Sequence, residues 1–249
     1  MKKYRFNGYS VEYHESIDST NTRAKLLASE GAPRGTVVIA SSQSAGRGRT
    51  GRSFFSPDGG VYMSVIFRPS LSCANVGAIT PFAAVCVCEA IRELFCLDAK
   101  IKWVNDVLID GRKVCGILTE SSVAENGSSL EYVVVGIGIN LARADFPSEL
   151  SDIACSISDH SEKPIGKRTL IANILDRLAP LLDGAVPDGV MDAYRSLSCT
   201  LGERVYTLSS PSVCGIAEDI DDGGALIIRT DCGERVTVSA GEISIRKEK

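Results

Sequence analysis

The run A-K-I-K-W-V-N-D-V-L-I-D-G-R-K-V-C-G-I-L-T-E, residues 99–120, decides the class of fold. Ala99–Trp103 and Val107–Ile109 are short and apolar, as strands are. Asp110-Gly111 between two such runs is a type I′ hairpin signal, because both central positions of that turn need positive φ. Val114–Glu120 therefore returns beside Val107–Ile109 as its antiparallel partner. Hairpins in succession, in place of alternating βα units, predict an α+β fold with a mixed or antiparallel sheet flanked by helices. They exclude a doubly wound sheet.

The rest of the chain extends this reading. Asn126-Gly127 is a second hairpin signal before a strand at Leu130–Val135. Ile79–Leu94 is long and apolar enough for a buried helix, with Pro81 tolerated in its first turn. Val61–Phe67 and Thr36–Ser41 read as buried strands and Val11–His14 as an opening strand. Asp18-Ser19-Thr20-Asn21 is rich in capping residues. The spacing predicts a helix over Asn21–Ser29, with Leu26 and Leu27 inward and Gly31 as its stop. Helices near Arg168–Leu182 and Val190–Ser198 close a large domain of residues 1–200. From 201 to 249 the character changes to five short β-rich runs, at Arg204–Leu208, Gly215–Ile220, Ala225–Arg229, Arg235–Ser239 and Glu242–Ile245. They predict a small SH3-like β-barrel.

The 249 residues carry a formal charge of −4 and are 44% hydrophobic, enough to bury a real core. The mild acidity argues against a protein that coats nucleic acid or an anionic membrane with its whole surface, so any anion site is a local basic cluster. Met1–Asn7 has no apolar run behind its lysines and does not read as a signal peptide. No stretch approaches the roughly 18 apolar residues of a membrane span. The nine cysteines are scattered without a C-x-x-C pair. They read as buried reduced thiols, which predicts a cytoplasmic protein. Two histidines, His14 and His160, leave little material for a zinc site or a His-dependent triad.

Chemistry concentrates in two segments. Gly46-Arg47-Gly48-Arg49-Thr50-Gly51-Arg52 alternates glycines, which let backbone N–H groups approach an anion, with guanidinium forks suited to phosphate and carboxylate. A P-loop is excluded, because that motif needs Lys where Arg52 stands and must open a helix, whereas Phe54-Phe55-Ser56-Pro57 and a strand follow. Gly136-Ile137-Gly138 fails the dinucleotide fingerprint, whose third glycine would fall on Leu141. The second segment is Lys102-Trp103-Val104-Asn105-Asp106 with Gly111-Arg112-Lys113, which brackets one hairpin. Its lysines suit a carboxylate and phosphates, and Asp106 suits Mg²⁺ or a plain turn. Ser19-Thr20-Asn21 offers donors or simply a helix cap. Gln43 and Asn140 are polar ligand contacts or loop residues. Trp103, Phe82 and the cysteines read as packing.

Together these segments resemble the biotin protein ligases. Ser19-Thr20-Asn21, Gln43 and the Gly46–Arg52 loop with Phe54-Phe55-Ser56-Pro57 are similar to that family's opening motifs in order and spacing. Lys102–Asp106 resembles its K-W-P-N-D motif and Gly111–Leu118 its G-R-K-x-x-G-I-L. Gly136–Asn140 and the tail Gly241–Arg246 also fit. The resemblance implies a class II synthetase-like catalytic domain and a two-step reaction. Biotin and MgATP give biotinyl-5′-AMP and pyrophosphate, and a lysine of a biotin carboxyl carrier protein, acetyl-CoA carboxylase or a related carboxylase, takes the biotinyl group.

It further implies roles. Lys113 contacts the biotin carboxylate and the reacting phosphate and is the first catalytic candidate, with Arg49 beside it. Arg49, Arg52, Lys102, Asn105 and Asn140 face ATP and its phosphates. Ser19, Thr20, Asn21, Gln43, Gly46, Arg47, Gly116 and Gly136 surround biotin. Asp106 sits near Mg²⁺ and is a weaker candidate for deprotonating the incoming lysine. Val104 replaces the motif's proline, which should loosen the turn. Phe54 stands where the family has Trp, keeping an aromatic plane and losing the indole N–H. The start of the chain leaves no room for a helix-turn-helix domain, so no specific DNA binding and no membrane contact are expected, while a homodimer stays open. Two alternatives remain: a lipoate–protein ligase with the same adenylate chemistry, and a nucleic-acid-binding module, against which the net charge weighs.

Overall fold

The computed structural model describes residues 1–68, 73–124, 129–208, 212–239 and 245–247. The hairpin run builds the middle of an eight-stranded sheet. Strands β1 (Lys2–Phe6), β2 (Tyr9–Ile17), β3 (Thr36–Gln43), β4 (Val61–Phe67), β5 (Lys100–Lys102), β6 (Asp106–Ile109), β7 (Arg112–Val123) and β8 (Leu130–Ile139) lie in the order β1-β2-β3-β4-β8-β7-β6-β5. Only β2 and β3 run parallel, joined through helix α1 (Thr20–Ser29); every other pair is antiparallel. The mixed sheet is the one the hairpins predict. Asp110 and Gly111 take φ 48° and 76°, as a type I′ turn requires.

Helix α2 (Ile79–Phe95), α3 (Lys167–Leu178) and the strands' other face share the main core, in which Met63, Val65, Phe67, Val133, Val135, Ile137 and Ile139 alternate inward. Alpha-helix α3 stops at Leu178, short of the expected Leu182. A 3₁₀ segment, Ala179–Asp183, carries the chain onward, because Pro180 supplies no N–H to continue the ladder. Helix α4 (Val190–Leu197) packs on α2. The opposite face of the sheet is covered by α1. Here half of the expectation fails: Leu26 is 49% exposed, whereas Leu27, half-buried, packs against the cluster that Ala24 and Ala28 form with Val38, Ile66, Tyr132 and Val134. A helix lying close on a sheet accepts small residues at the centre of its contact face, with Leu27 at the margin and Leu26 turned outward. Strand β1 was not expected, since its side chains are exposed and carry no alternating apolar signal.

The C-terminal strands β9 (Arg204–Thr207), β10 (Cys214–Ile220), β11 (Leu226–Thr230), β12 (Arg235–Val238) and β13 (Ile245–Lys247) form an antiparallel sheet ordered β12-β11-β10-β9-β13. The five runs are as expected; among the described residues, β12 and β13 do not pair to close a barrel. The Asn126-Gly127 turn and residues 241–244 of the tail motif lie outside the described residues. Val205, Ala217, Ile220, Leu226, Ile228 and Val238 join the main core. Arg195 on α4 ties the two sheets, donating from Nε to Ile220 O at 2.7 Å and from Nη2 to Asp222 at 2.7 Å.

The turn after β5 is held from three sides. Trp103 donates its N–H to Thr200 Oγ1 at 2.8 Å and its Nε1–H to Gly224 O at 2.9 Å, and Tyr194 donates its hydroxyl to Val104 O at 2.9 Å. The Trp103–Val104 peptide is cis. Where Val104 stands in place of the motif's proline, these three hydrogen bonds are what hold the turn. Cys86, Cys88, Cys115 and Cys155 are buried free thiols, and burial pushes Cys155 up to about 11. Cys96 and Cys232 are exposed instead. Among the described residues no helix is long and apolar enough to cross a membrane.

Candidate active site

Strand register assembles the site. On the α1 face, Lys102 pairs with Asp106, Asp106 with Gly116, Gly116 with Gly138, and Gly138 with Tyr62, so that these residues stand in one row across five strands. The next row holds Leu118, Gly136 and Ser64. Beyond the N-terminus of α1 this face carries glycines where Val134 and Tyr132 sit under the helix. The sheet is thereby hollowed, and a cavity of about 760 Å³ opens there. Ser19, Thr20, Asn21, Gln43, Arg47, Arg49, Arg52, Lys102, Asn105, Asp106, Lys113, Gly116, Gly136 and Asn140 all line it. Fourteen separated positions converge on one space, and of the expected residues Gly46 alone is not on its wall. The space beside Gly46 is taken by Phe54 O, 2.4 Å from where a Cβ would stand.

Lys113 reaches this face through a bulge. Val107 pairs with Cys115 but Leu108 with Lys113, leaving Val114 as an extra residue on β7. Residues three apart on a strand normally point to opposite faces; the extra one brings Lys113 round to the side of Gly116. Its Nζ lies 2.7 Å from Asp106 Oδ1 and 5.6 Å from the centre of the Phe54 ring.

The Gly-Arg loop is a small hairpin. Gly48 donates to Arg52 O at 2.7 Å and Phe54 to Gly46 O at 2.9 Å, while Thr50 and Gly51 turn it at φ 52° and 75°. Arg49 Nη1 donates to Asn105 Oδ1 at 3.3 Å, and Asn105 Nδ2 donates to Ile117 O at 2.7 Å. Burial holds the Arg49 guanidinium below its ordinary range, and a group of such high starting basicity stays charged. Arg47 faces Glu120 at 3.5 Å.

Several expected ligand contacts have other neighbours. A Cβ on Gly136 would fall 2.0 Å from Asn21 Oδ1, so this glycine makes room for Asn21. Gly116 and Gly138 make room for the Phe54 ring, at 3.0 and 2.6 Å from their would-be Cβ atoms. The carboxamide of Asn140 donates to Cys155 O at 3.1 Å, and Ser19 caps α1 by accepting from Thr22 N–H at 3.4 Å. The sequence reading missed the wall formed by Phe55, Phe146, Leu150 and Ile153. Phe55 and Phe146 lie 6.0 Å apart, and Lys113 N–H donates to Ile153 O at 2.8 Å. Residues 142–154 have no period that marks them, and the signal was only three large apolar residues in a polar stretch. Among the described residues no three His, Cys, Asp or Glu side chains cluster as a metal site. His14 bonds Glu12 and His160 pairs with Asp110.

Gly138→Ala is expected to push Phe54 into the cavity. The acid substrate's KM should rise about ten-fold and stability fall by about 1–3 kcal/mol, read by steady-state kinetics and thermal unfolding. Wild-type kinetics in that variant would remove Phe54 from the site wall.

The cavity thus combines cationic side chains with uncharged polar ones on one face of a mixed sheet. Residues 13–140 match the biotin/lipoate A/B protein ligase family. The chain belongs to that family. Residues 200–246 match the biotin protein ligase C-terminal domain. The bifunctional ligase/repressor BirA of Bacillus subtilis is 37% identical over 94% of this chain and 73% of its own length. A biotin–[acetyl-CoA-carboxylase] ligase of Paracoccus denitrificans is 35% identical over 90% of this chain and 95% of its own. Among solved structures, the biotin protein ligase of Aquifex aeolicus in complex with biotin and ATP superimposes with a TM-score of 0.81 and 26% identity, covering 96% of this chain and 99% of that one. As a member of this ligase family, the chain places its motifs where the hollowed sheet face lies.

Proposed function

We propose that this ligase joins biotin to ATP as biotinyl-5′-AMP, releases pyrophosphate, and passes the biotinyl group to a lysine of a carboxylase carrier domain. The observation that carries the reading is one cavity whose wall bears Lys113, Arg49, Arg52 and Lys102 together with Thr20 and Gln43. Attack of a carboxylate oxygen on the α-phosphate brings two anions together, and fixed cations lower that barrier. Lys113 holds the carboxylate and the developing pentavalent phosphate, while Arg49 and Arg52 hold the remaining phosphate oxygens. Asp106 keeps Lys113 in place before substrate arrives. One carboxylate of this kind fits a magnesium ion that enters with ATP, because such an ion takes its other contacts from phosphate and water. In the second step the carrier amine attacks the acyl carbon, AMP leaves, and the amine's proton passes to a nearby base, for which Asp106 is the candidate. Phe55, Phe146 and Ile153 supply an apolar wall for a flat ring.

A division into residues 1–200 as catalytic unit and 201–249 as a smaller β unit accompanies this proposal, as does a cytoplasmic enzyme that binds neither DNA nor membrane. The test is mass spectrometry of an apo carrier domain incubated with the protein, biotin and MgATP. One added biotinyl group is expected. Lipoylation instead would move the protein to the other branch of its family, although the match over residues 200–246 favours biotin. Modification with neither acid would overturn the ligase reading.

A further inference from the structure

Ser64 is fully buried on β4, opposite Gly136, and does not line the cavity. Its hydroxyl faces two oxygens, Asn21 Oδ1 at 2.6 Å and Thr20 Oγ1 at 2.8 Å. The orientation of Asn21 is fixed, because its Nδ2 donates to Leu118 O at 3.2 Å and to Glu120 Oε2 at 3.0 Å, and neither partner has a proton to give. Gln43 is fixed as well. Its Oε1 accepts the N–H of Thr20 at 2.8 Å and the Thr20 hydroxyl at 3.1 Å. Its Nε2 donates to Ser56 Oγ at 2.9 Å, whose own proton goes to Phe54 O at 2.9 Å.

The proton inventory closes around Thr20. Its hydroxyl has Gln43 Oε1 at 3.1 Å and Ser64 Oγ at 2.8 Å as partners, and its single proton lies toward one of them and not toward the cavity. What Thr20 Oγ1 turns toward the cavity is a lone pair.

We infer that Ser64 is a positioning residue that, with Gln43, fixes Thr20 Oγ1 as a hydrogen-bond acceptor, so that the cavity selects an acid carrying an N–H at that point. The inference rests on the proposed biotin activation. Biotin's ureido ring presents N–H groups, whereas the dithiolane of lipoate and the chain of octanoate present none. An acid without the donor leaves the cavity-facing lone pair of the Thr20 oxygen unmet in a closed space, and a site built to bond a polar hydrogen rejects the analogue that lacks it.

Without Ser64 the Thr20 hydroxyl loses the partner that holds it, and rotation becomes available. The experiment measures kcat and KM for adenylate formation by wild type, Ser64→Ala and Ser64→Cys. The acids are biotin and the two biotin analogues in which one ureido N–H is replaced by CH₂. Ser64→Ala is expected to raise the KM for biotin about ten-fold, chiefly through KM rather than kcat. For the analogue lacking the N–H that meets Thr20, the two proteins should agree within about two-fold, since the bond is already gone. Ser64→Cys, a weak donor of similar size, should fall between them and serves if the alanine variant fails to fold. A KM that rises equally for biotin and both analogues makes Ser64 a general scaffold and overturns the inference, as does an unchanged KM for biotin. If wild type forms no adenylate with biotin, the parent reading falls, an outcome separate from either.

Discussion

Lys113→Ala is expected to cut biotin-dependent pyrophosphate exchange by about a thousand-fold or more, with most of the loss in kcat/KM. Among the described residues, the side chain supplies the one ammonium that reaches both Asp106, at 2.7 Å, and the space over Gly116 beside Phe54. Removing it does more than subtract a cation. Asp106 loses its ammonium partner and keeps only the electrostatic attraction of Arg49, so its negative charge then opposes a substrate carboxylate and a phosphate that must meet beside it. Lys113→Arg should not restore activity. The Nζ already lies 3.0 Å from where a Cβ on Gly116 would stand, and a planar fork needs more room and presents its donors in a fixed geometry. More than a tenth of wild-type exchange in Lys113→Ala would move the principal role to Arg49 or Arg52.

The largest effect on stability is expected at Glu12, far from this chemistry. Glu12 is 3% exposed on β2. It accepts from Arg23 Nε at 2.7 Å and Nη2 at 3.1 Å and meets His14 Nε2 at 2.8 Å, with Lys3 at 3.6 Å. The Arg23 hydrogen bonds hold its carboxyl well below the ordinary range, near 2 against 4.5. A depressed folded-state value means stability that is complete above pH 4.5 and is lost as pH falls toward 2. The difference corresponds to about 3 kcal/mol. Glu12→Gln should therefore lower stability by about 2–3 kcal/mol at pH 7, a drop of several degrees in melting temperature for a chain of this length. Chemical denaturation across pH should show the gap between wild type and variant narrowing below pH 4.5. A variant as stable as wild type at pH 7, or a gap that does not depend on pH, would show that the cluster contributes through packing alone.

The hairpins at the centre of the chain were legible because Asp110-Gly111 states its own backbone angles and short apolar runs flank it. The same holds for β4 and α2, whose limits match the expected Val61–Phe67 and run one residue past Leu94. Chemistry was legible where charge and glycine alternate, since such a loop has few structural uses. Three kinds of information were not. The facing of α1 depends on how closely it lies on the sheet, which favoured Ala24 and Ala28 over Leu26. The glycines at 116, 136 and 138 signal space without saying whose; Lys113, Asn21 and Phe54 fill it. Ser64 reads as one more small residue in an apolar strand, and only the pairing of β4 with β8 sets it under Thr20. The wall at Phe146 and Ile153 belongs to an irregular segment placed by the neighbouring strand, a constraint no local pattern records.

The extra residue at Val114 has a bearing on how this stretch tolerates change. Substitutions in Val107–Gly116 alter size or charge by degrees, and the sheet absorbs them by degrees. Length is different, because the side of a pleated strand on which a residue emerges is a matter of odd and even. Remove Val114, and Lys113 stands two positions from Gly116, on the cavity side by plain alternation; keep Val114 and flatten the bulge, and the lysine passes to the face packed on α2 with composition and charge unchanged. Aligners that float a gap through this hairpin treat its positions as equivalent. The protein does not: a relative with a one-residue gap at Val114 keeps its lysine on the reacting side with no bulge, whereas one that retains the residue needs the bulge.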